Sequence, residues 1–279
     1  IQVGKDGNGA GVIVETDATL IVGLNGLQVD EESKTDDKVT YVIVEAGGTL
    51  ETNGTIISND VKEIIIESDE TCGTGVVYIA PDVTYNNQPR STISMYTHAR
   101  HSADGTWHWQ HFGIPSIGID ENGESDFNNP TNPKITSNPV VSTYMKQWLN
   151  NEWVSMSKWS EMNVPFRGDN LTNDSQDGGV TYTFEGRMIG NGNAPLKFTH
   201  LGYNVLANSY TAPIHVKSMF EDMTRDFGSN VQSTVWIYDS ENDSHIFTNL
   251  YELKTGDAQF EFIAPMQGYV LLLQNGTSA

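Results

Sequence analysis

The chain has 279 residues and a mass of 30.8 kDa, enough for two average domains or one large β domain with a sizeable core. It carries 15 Lys and Arg against 36 Asp and Glu, a formal net charge of −21, so a phosphate backbone would be repelled and nucleic acid is excluded as a partner. A single cysteine, Cys72, excludes an internal disulfide and a zinc site built from cysteines.

Apolar runs such as residues 269–273 (YVLLL) are too short to span a bilayer, so we predict no membrane span. The chain begins at Ile1 rather than at a methionine, and we expect that a preceding segment has been processed or excised.

The first third of the chain repeats a β-branched phrase at residues 12–15 (VIVE), 42–45 (VIVE) and 64–67 (IIIE). Residues 16–20 and 46–50 follow the first two copies and contain small residues that permit a corner before the next strand. Such strands cannot bury their apolar face alone, whereas stacked coils would bury a continuous column of Val, Ile and Leu. We predict a short β-solenoid over residues 1–88, with an ordinary antiparallel sandwich as the alternative.

From about residue 90 the strands become aromatic, and all six tryptophans lie between Trp107 and Trp236. Three phrases recur in the same order: residues 110–113 with 199–202, 142–145 with 233–236, and 164–168 with 264–268. A unit of about 90 residues is a comfortable size for a β-sandwich or for half of a larger one. We predict two tandem sandwich-like or jelly-roll-like repeats at 89–178 and 179–279, with chance similarity as the alternative.

One helix is predicted near residues 212–227, where Val216, Met219, Phe220 and Met223 recur at helical spacing. Residues 168–179 are polar and rich in turn formers, which indicates a surface connection between the two repeats. The predicted fold class is therefore all-β with one short helix.

Residues 202–214 (GYNVLANSYTAPI) resemble the Gly-Trp-Asn-Leu-x-Gly-Asn-Pro-Tyr-Pro-x-x-Ile motif of large secreted surface proteins of the Bacteroidetes, many of them exported by the type IX system. Residues 182–186, 235–239 and 264–270 are similar to that family too. Tyr203, Ala207 and Ser209 depart from the motif, where the family has Trp, Gly and Pro. The resemblance covers about residues 180–273 and implies an exported, usually non-catalytic part of a longer multidomain chain. It brings no catalytic residues with it.

Four histidines lie close together in the sequence, and histidine is the commonest metal ligand. They are His98, His101, His108 and His111. In a strand His108 and His111 point to opposite faces, and residues 103–105 (ADG) predict a hairpin turn that could bring one histidine from each side together. We interpret the four as solvated or hydrogen-bonded strand residues, with a metal site as the alternative.

Acidic loops are the better candidates for an ion, because calcium accepts flexible cages of oxygen ligands. The first candidate set is Asp169, Asp174 and Asp177, and the second is Asp120, Glu124 and Asp126. The alternative is a set of hydrophilic turns whose side chains bond their own backbone.

Tryptophans could build a carbohydrate platform, because flat rings stack on the apolar faces of pyranoses. The candidates are Trp107, Trp109 and Trp153, with core packing between sheets as the alternative. Motifs of serine hydrolases, zinc proteases, P-loop NTPases and dinucleotide-binding proteins do not occur.

We therefore expect a non-catalytic structural or adhesion module of a larger bacterial cell-surface protein, outside the cell and without a cofactor other than calcium. Its expected partners are other domains of the same chain, glycans and neighbouring surface subunits. The alternative is a carbohydrate-binding or polysaccharide-processing module.

Overall fold

The computed structural model describes residues 2–6, 9–22, 41–52, 63–79, 90–117, 134–158, 164–176, 179–189, 202–240 and 242–274. Most of these residues lie in strands and few in helices, which confirms the prediction of an all-β chain. Within the same ranges, no helix has both the length and the apolar character needed to cross a bilayer.

The amino-terminal part is built from strands that follow the repeated phrase. They are β1 (Gln2–Asp6), β2 (Gly9–Val14), β3 (Thr19–Val22), β4 (Tyr41–Val44), β5 (Thr49–Thr52), β6 (Glu63–Ile66), β7 (Ser68–Asp69), β8 (Gly73–Thr74), β9 (Val76–Ile79) and β10 (Arg90–Thr97). Strands β2, β4, β6 and β10 pair in parallel in one sheet, and β3, β5 and β9 pair in parallel in another. We call these seven strands the parallel stack. An antiparallel sandwich does not describe them.

The parallel register aligns the copies of the phrase and so creates apolar columns. Val14, Val44, Ile66 and Ile93 are register partners along the first sheet, and each is at most 1% exposed. Because alternate residues of a strand point to opposite faces, the remaining residues face outward and only this half is buried. The repeated phrase therefore specifies which face of each strand is buried.

Backbone hydrogen bonds join the ends of successive strands of the first parallel sheet. The N–H of Glu45 donates to the carbonyl of Val14, and the N–H of Glu67 donates to the carbonyl of Val44, both over 2.9 Å. A Cβ at Gly75 would lie 2.7 Å from the carbonyl oxygen of Glu45, so the close approach of successive corners requires glycine there.

Nine strands follow along the chain. They are β11 (Arg100–His101), β12 (Trp107–His108), β13 (Gln110–Phe112), β14 (Ser116–Ile117), β15 (Lys134–Asn138), β16 (Thr143–Leu149), β17 (Glu152–Met156), β18 (Asp169–Asn173) and β19 (Val180–Met188). Strand β19 pairs antiparallel with β10 and continues the sheet of the parallel stack, with β14 and β15 beside it. Each of the three predicted domains thus contributes a strand to this one sheet, namely β6, β10 and β19, and the division into three domains stays a prediction.

The last part of the chain contains β20 (Gly202–Ala207), β21 (Ile214–His215), α1 (Val216–Phe227), a 3-10 turn (Gly228–Asn230), β22 (Val231–Asp239), β23 (Ser244–Asn249), α2 (Leu250–Thr255), β24 (Phe262–Ile263) and β25 (Gly268–Leu273). Helix α1 lies within the predicted helical segment and buries Val216, Phe220 and Met223.

Two four-stranded antiparallel sheets have the same strand order. The first sheet runs β13-β18-β16-β17, and the second sheet runs β20-β25-β22-β23. In each, the first strand along the chain pairs with the fourth, and the fourth pairs with the second. The two sheets are therefore built by the same path of the chain.

The contacts between these two sheets are reciprocal, as in a two-fold symmetric pair. An isolated bridge joins Phe112 of the first sheet to Gln267, and its counterpart joins Leu206 of the second sheet to Arg167. Likewise, Gly113 N–H donates to the carbonyl of Met266 (2.9 Å), and the N–H of Ala207 donates to the carbonyl of Phe166 (3.1 Å). Phe112 thus corresponds to Leu206, and residues 164–168 correspond to 264–268.

This correspondence corrects two of the sequence matches. The match of 110–113 with 199–202 makes Leu201, which lies outside the described residues, the counterpart of Phe112. The reciprocal bridges instead make Leu206 the counterpart of Phe112. The match of 142–145 with 233–236 is displaced by one residue, because Met145 lies opposite Leu171 as Val235 lies opposite Leu271. A displacement of one residue exchanges the two faces of a strand.

The outer face of each sheet is apolar and covered. Phe112, Met145 and Leu171 belong to the same core as the parallel stack. Their counterparts Leu206, Val235 and Leu271 pack with residues of helix α1, including Phe220 and Met223, in a second core. The inner faces of the two sheets are left to line the space between them.

Residues of the family-like motif fasten the second sheet to its surroundings. The buried Asn208 side chain donates to the carbonyls of Ala212, Ile263 and Ala264. Thr211 exchanges hydrogen bonds with Val77 of the parallel stack. Asn208 and Thr211 therefore join the second sheet to neighbouring parts of the fold.

Candidate functional site

A cleft of about 530 Å³ lies between the inner faces of the two sheets. The first sheet and the residue before β13 contribute Trp109, His111, Lys146, Trp148, Trp153 and Asn170. The second sheet contributes Tyr203, Val205, Trp236, Tyr238, His245 and Val270. A volume of this size lies within the roughly 300–1,000 Å³ of small-molecule sites.

The reciprocal contacts show which lining residues of the two sheets occupy corresponding positions. His111 and Asn170 of the first sheet correspond to Val205 and Val270 of the second, and Lys146 corresponds to Trp236. The cleft thus lies on the pseudo-two-fold axis, and the same face of each repeat lines it. Alternation along the strands explains the arrangement, because residues next to the apolar outer positions point inward.

Aromatic rings form most of the walls. Trp148 and Trp153 are cross-strand partners whose ring centroids lie 5.2 Å apart, and Tyr203 lies 6.0 Å from Trp236. The indole N–H of Trp148 donates to the carbonyl oxygen of Tyr203 over 2.9 Å, which ties the two walls together. The rings are consequently fixed by contacts across the cleft.

His111 is buried beneath these rings. Its imidazole lies 5.1 Å from the Trp153 ring and 4.8 Å from the Tyr238 ring, and the side chain is 6% exposed. Burial, with a smaller effect of His245, lowers the pKa of His111 to about 3, so the ring is neutral at physiological pH. Within the described part of the chain, its Nδ1 has no hydrogen-bond partner.

Asn170 and Lys146 continue the same row across the first sheet. Asn170 lies directly opposite His111 on β13 and directly opposite Lys146 on β16. Asn170 is 5% exposed, and among the described residues nothing bonds its Oδ1. The ammonium of Lys146 lies 4.2 Å from the centroid of the Trp109 ring, a cation–π contact.

His245 and Tyr238 form a pair of titratable side chains at the rim of the second sheet. Burial lowers the pKa of His245, and Asp243 opposes that effect. The Tyr238 hydroxyl donates to the carboxylate of Asp243, and burial together with that carboxylate raises the pKa of Tyr238. Both side chains are therefore neutral at physiological pH and suited to hydrogen bonding.

The predicted tryptophan platform is brought together in part. Trp109 and Trp153 line the cleft, whereas Trp107 lies in an adjoining hollow of about 370 Å³ that Trp109 and Lys146 also line. Trp107 stacks on His101 with ring centroids 4.0 Å apart. The platform residues therefore serve two neighbouring surfaces.

The four histidines are not gathered at one point. The predicted hairpin turn joins β11 to β12, and it pairs His101 with Trp107 and Arg100 with His108. His111 lies in the cleft, where the ring centroid of His245 is 5.9 Å from its own. In the ranges that the structure describes, no group of three or more His, Cys, Asp or Glu side chains is placed to hold a metal ion.

The candidate calcium residues are separated by the strand that carries them. Asp169 begins β18 and Asp174 follows its end. Both oxygens of the buried Asp169 accept from the guanidinium of Arg167, at 2.9 and 3.0 Å, while Asp174 accepts from the N–H of Ser142. The structure does not bring these two carboxylates together. Asp177 and the second candidate set, Asp120, Glu124 and Asp126, lie outside the described residues.

Burial raises the pKa of Asp169 to about 7, against the lowering effect of Arg167. Asp169 pairs with Arg167 in the folded chain.

Several lining residues were not singled out by the sequence. Lys146 and Asn170 resemble ordinary outward-facing strand residues, and Tyr203 is the position where the family motif has Trp. Only the strand pairing shows that they share one cleft.

Comparison with protein-family models, with curated proteins and with solved structures found no match to this chain.

Proposed function

We propose that this chain is a non-catalytic, carbohydrate-binding adhesion module of a larger cell-surface protein. In this proposal a short β-solenoid supports two sandwich-forming repeats, and the aromatic cleft between them is the recognition site. The observation that carries the proposal is the combination, in one cleft, of aromatic walls with two buried polar atoms, His111 Nδ1 and Asn170 Oδ1, that have no hydrogen-bond partner among the described residues.

The aromatic walls suit a sugar ring because a pyranose has apolar C–H faces and a polar edge of hydroxyls. The ring centroids of Trp148 and Trp153 on one wall lie 5.2 Å apart, and that of Trp236 on the other wall lies 6.0 Å from Tyr203, both ordinary spacings of aromatic packing. A ligand that enters between them keeps apolar contact on both sides. Its hydroxyls can then reach His111 and Asn170.

Folding alone gives no reason for the polar atoms of His111 and Asn170. A buried polar group without a partner destabilises the folded state by about 1–3 kcal/mol, and the second sheet carries valine at both corresponding positions. The chain therefore accommodates apolar residues at these places. Their polar replacements in the first sheet are explained by a bound partner that satisfies them.

In this proposal the parallel stack supports the cleft mechanically. Its columns of buried Val, Ile and Leu extend into the core that covers the first sheet, so the cleft is mounted on a continuous packed body. The location outside the cell rests on the resemblance of residues 202–214 to bacterial surface proteins.

The experiment is a screen of the purified chain against an array of host and microbial glycans, followed by titration calorimetry on the glycans that bind. Replacing Trp153 by Ala removes one wall of the cleft, and we expect affinity to fall by more than about tenfold. Tyr251→Ala is the matched control, because Tyr251 is 74% exposed on helix α2 and does not line the cleft.

The melting temperature of each variant, measured in parallel, separates loss of binding from loss of folding. A wild-type chain that binds no glycan on the array contradicts the proposal and leaves a purely structural module in its place.

A further inference from the structure

The two walls of the cleft differ in polarity although they are built from corresponding positions. The first sheet places His111, Asn170 and Lys146 side by side in one row across three strands. The second sheet has Val205, Val270 and Trp236 in the corresponding row. Residues directly opposite each other in an antiparallel pair lie on the same face, so each row faces the cleft as a unit. Polar groups of a ligand therefore meet the first sheet, and its apolar face meets the second.

Lys146 shows which charge the ligand carries. Its ammonium lies on the Trp109 ring, and the ion pairs of the described residues join Lys134, Arg167 and Arg225 to carboxylates but not Lys146. A cationic ligand would be repelled by this ammonium, which already occupies the ring face that attracts cations. In a chain with a net charge of −21, the ammonium of Lys146 is a local positive charge at the cleft, and it favours an anionic group in the ligand.

We infer that the cleft binds a saccharide that bears a carboxylate, such as a chain of uronic acids. Lys146 pairs with the carboxylate, and His111 and Asn170 exchange hydrogen bonds with hydroxyls of the same or the next ring. The sugar's C–H face packs on Trp236 and Tyr203. This inference rests on the proposed function and adds the class of sugar.

The size and chemistry of the cleft exclude simpler occupants. A purely apolar ligand would leave the polar atoms of His111 and Asn170 unsatisfied, and sites with buried polar groups reject such ligands strongly. A neutral saccharide would satisfy those atoms but leave Lys146 without an anion. A ligand with hydroxyls, an anionic group such as a carboxylate and an apolar face uses the whole row.

The test compares acidic saccharides with their own uncharged esters. Tetramers of galacturonic acid, of mannuronic acid and of alternating glucuronic acid and N-acetylglucosamine are titrated in calorimetry beside their methyl esters, which keep the rings and remove the charge. At least one acid is expected to bind about tenfold or more tightly than its ester. Lys146→Gln should bring the acid down to the affinity of the ester and leave the ester unchanged.

Lys254→Gln is the control for net charge, because Lys254 lies on helix α2 away from the cleft. Equal binding of acid and ester, a preference for neutral glycans, or an unchanged affinity in Lys146→Gln overturns the inference while the proposed function stands. The absence of any glycan binding overturns both.

A second variant tests the row through the fold itself. Asn170→Val installs the residue that the second sheet already carries at the corresponding position, Val270. Because it removes a buried atom without a partner, we expect an unchanged or higher melting temperature together with a loss of saccharide affinity of more than about tenfold. Retained affinity in Asn170→Val would show that the row does not touch the ligand.

Discussion

The chain follows the same path through the first and second sheets, yet only the outer faces of the two sheets carry residues of the same polarity. Their outer faces match in kind: Phe112 and Leu171 in one are replaced by Leu206 and Leu271 in the other, all of them buried. Their inner faces do not match, because His111 and Asn170 stand against Val205 and Val270.

This difference separates what the fold requires from what it permits. An outer-face residue must fill a packed core, so an apolar side chain is required in both sheets. An inner-face residue lines a cleft, and there the second sheet shows that valine is compatible with the same backbone. The polar row of the first sheet is therefore a specialisation rather than a condition of folding.

A second difference lies beside the bridges that join the sheets. Near the start of β18 the first sheet carries Arg167 and the buried Asp169, which form an ion pair. At the corresponding positions near the start of β25 the second sheet carries Gln267 and Tyr269.

The ion pair of Arg167 with Asp169 gives the largest expected effect. Arg167→Gln, which copies the second sheet, leaves Asp169 buried without its guanidinium and should lower the free energy of unfolding by about 3–5 kcal/mol at pH 8.

The loss should depend on pH, with a sign that follows from the raised pKa of Asp169. The folded pKa is about 7 and the unfolded value is 3.8, so the folded state retains a proton that the unfolded chain releases in this interval. Stability from this group is therefore present below about pH 4 and is lost as the pH rises through 7. Urea unfolding should show that Arg167→Gln lowers the free energy of unfolding less at pH 5 than at pH 8, because the buried carboxyl of Asp169 is protonated at pH 5.

The double variant Arg167→Gln/Asp169→Asn, which has no buried charge, should recover most of the lost stability at pH 8. An equal loss at both pH values, or no recovery in the double variant, would show that the charge of Asp169 is not what Arg167 stabilises.

The next largest effect tests whether the sheets are equivalent where they touch. Gly168 and Gly268 occupy corresponding positions, and a Cβ there would lie 2.5 Å from the Leu206 carbonyl oxygen and 2.7 Å from the His111 carbonyl carbon. Because the obstacle is backbone in both cases, Gly168→Ala and Gly268→Ala should each destabilise the chain by about 1–3 kcal/mol. Urea denaturation of the two variants measures this directly.

Gly256→Asn serves as the control, since its Cβ would meet nothing within 4 Å and asparagine tolerates the positive φ of this position. A large effect at one glycine and none at the other would break the equivalence of the two contacts.

The sequence predicted the parallel stack better than it predicted the cleft, for a physical reason. Val14, Val44 and Ile66 repeat with their neighbours, so the phrase itself carries both the strand period and the face that is buried. Trp109 and Trp153 were also predicted as ligand residues, because tryptophan is informative by residue type alone, and both line the cleft.

Lys146 and Asn170 could not be predicted in the same way. A single polar residue in an alternating strand is usually solvent-facing, and its burial depends on which strand lies opposite and in which register. The repeat alignment misplaced β16 against β22 by one residue, which reverses their faces, so the correspondence of Lys146 with Trp236 required the pairings themselves. The predicted calcium residues Asp169 and Asp174 failed to meet for the opposite reason, because residues close in sequence are held apart by an extended strand.

The smallest expected effect concerns the helical cover of the second sheet, whereas the first sheet is covered by the parallel stack. Helix α2 begins with a capping box: Asn249 Oδ1 accepts from the N–H groups of Tyr251 and Glu252, both at 3.0 Å, and the Glu252 carboxylate accepts from Asn249 N–H. Asn249→Ala should lower the free energy of unfolding by about 1 kcal/mol, and Asn249→Asp, which keeps an acceptor, should lower it much less. Because the helix packs outside the second sheet, saccharide affinity should be unchanged in both variants. A loss of affinity in Asn249→Ala without loss of fold would mean that the helical cover and the cleft are coupled, and that the inner and outer faces are not independent.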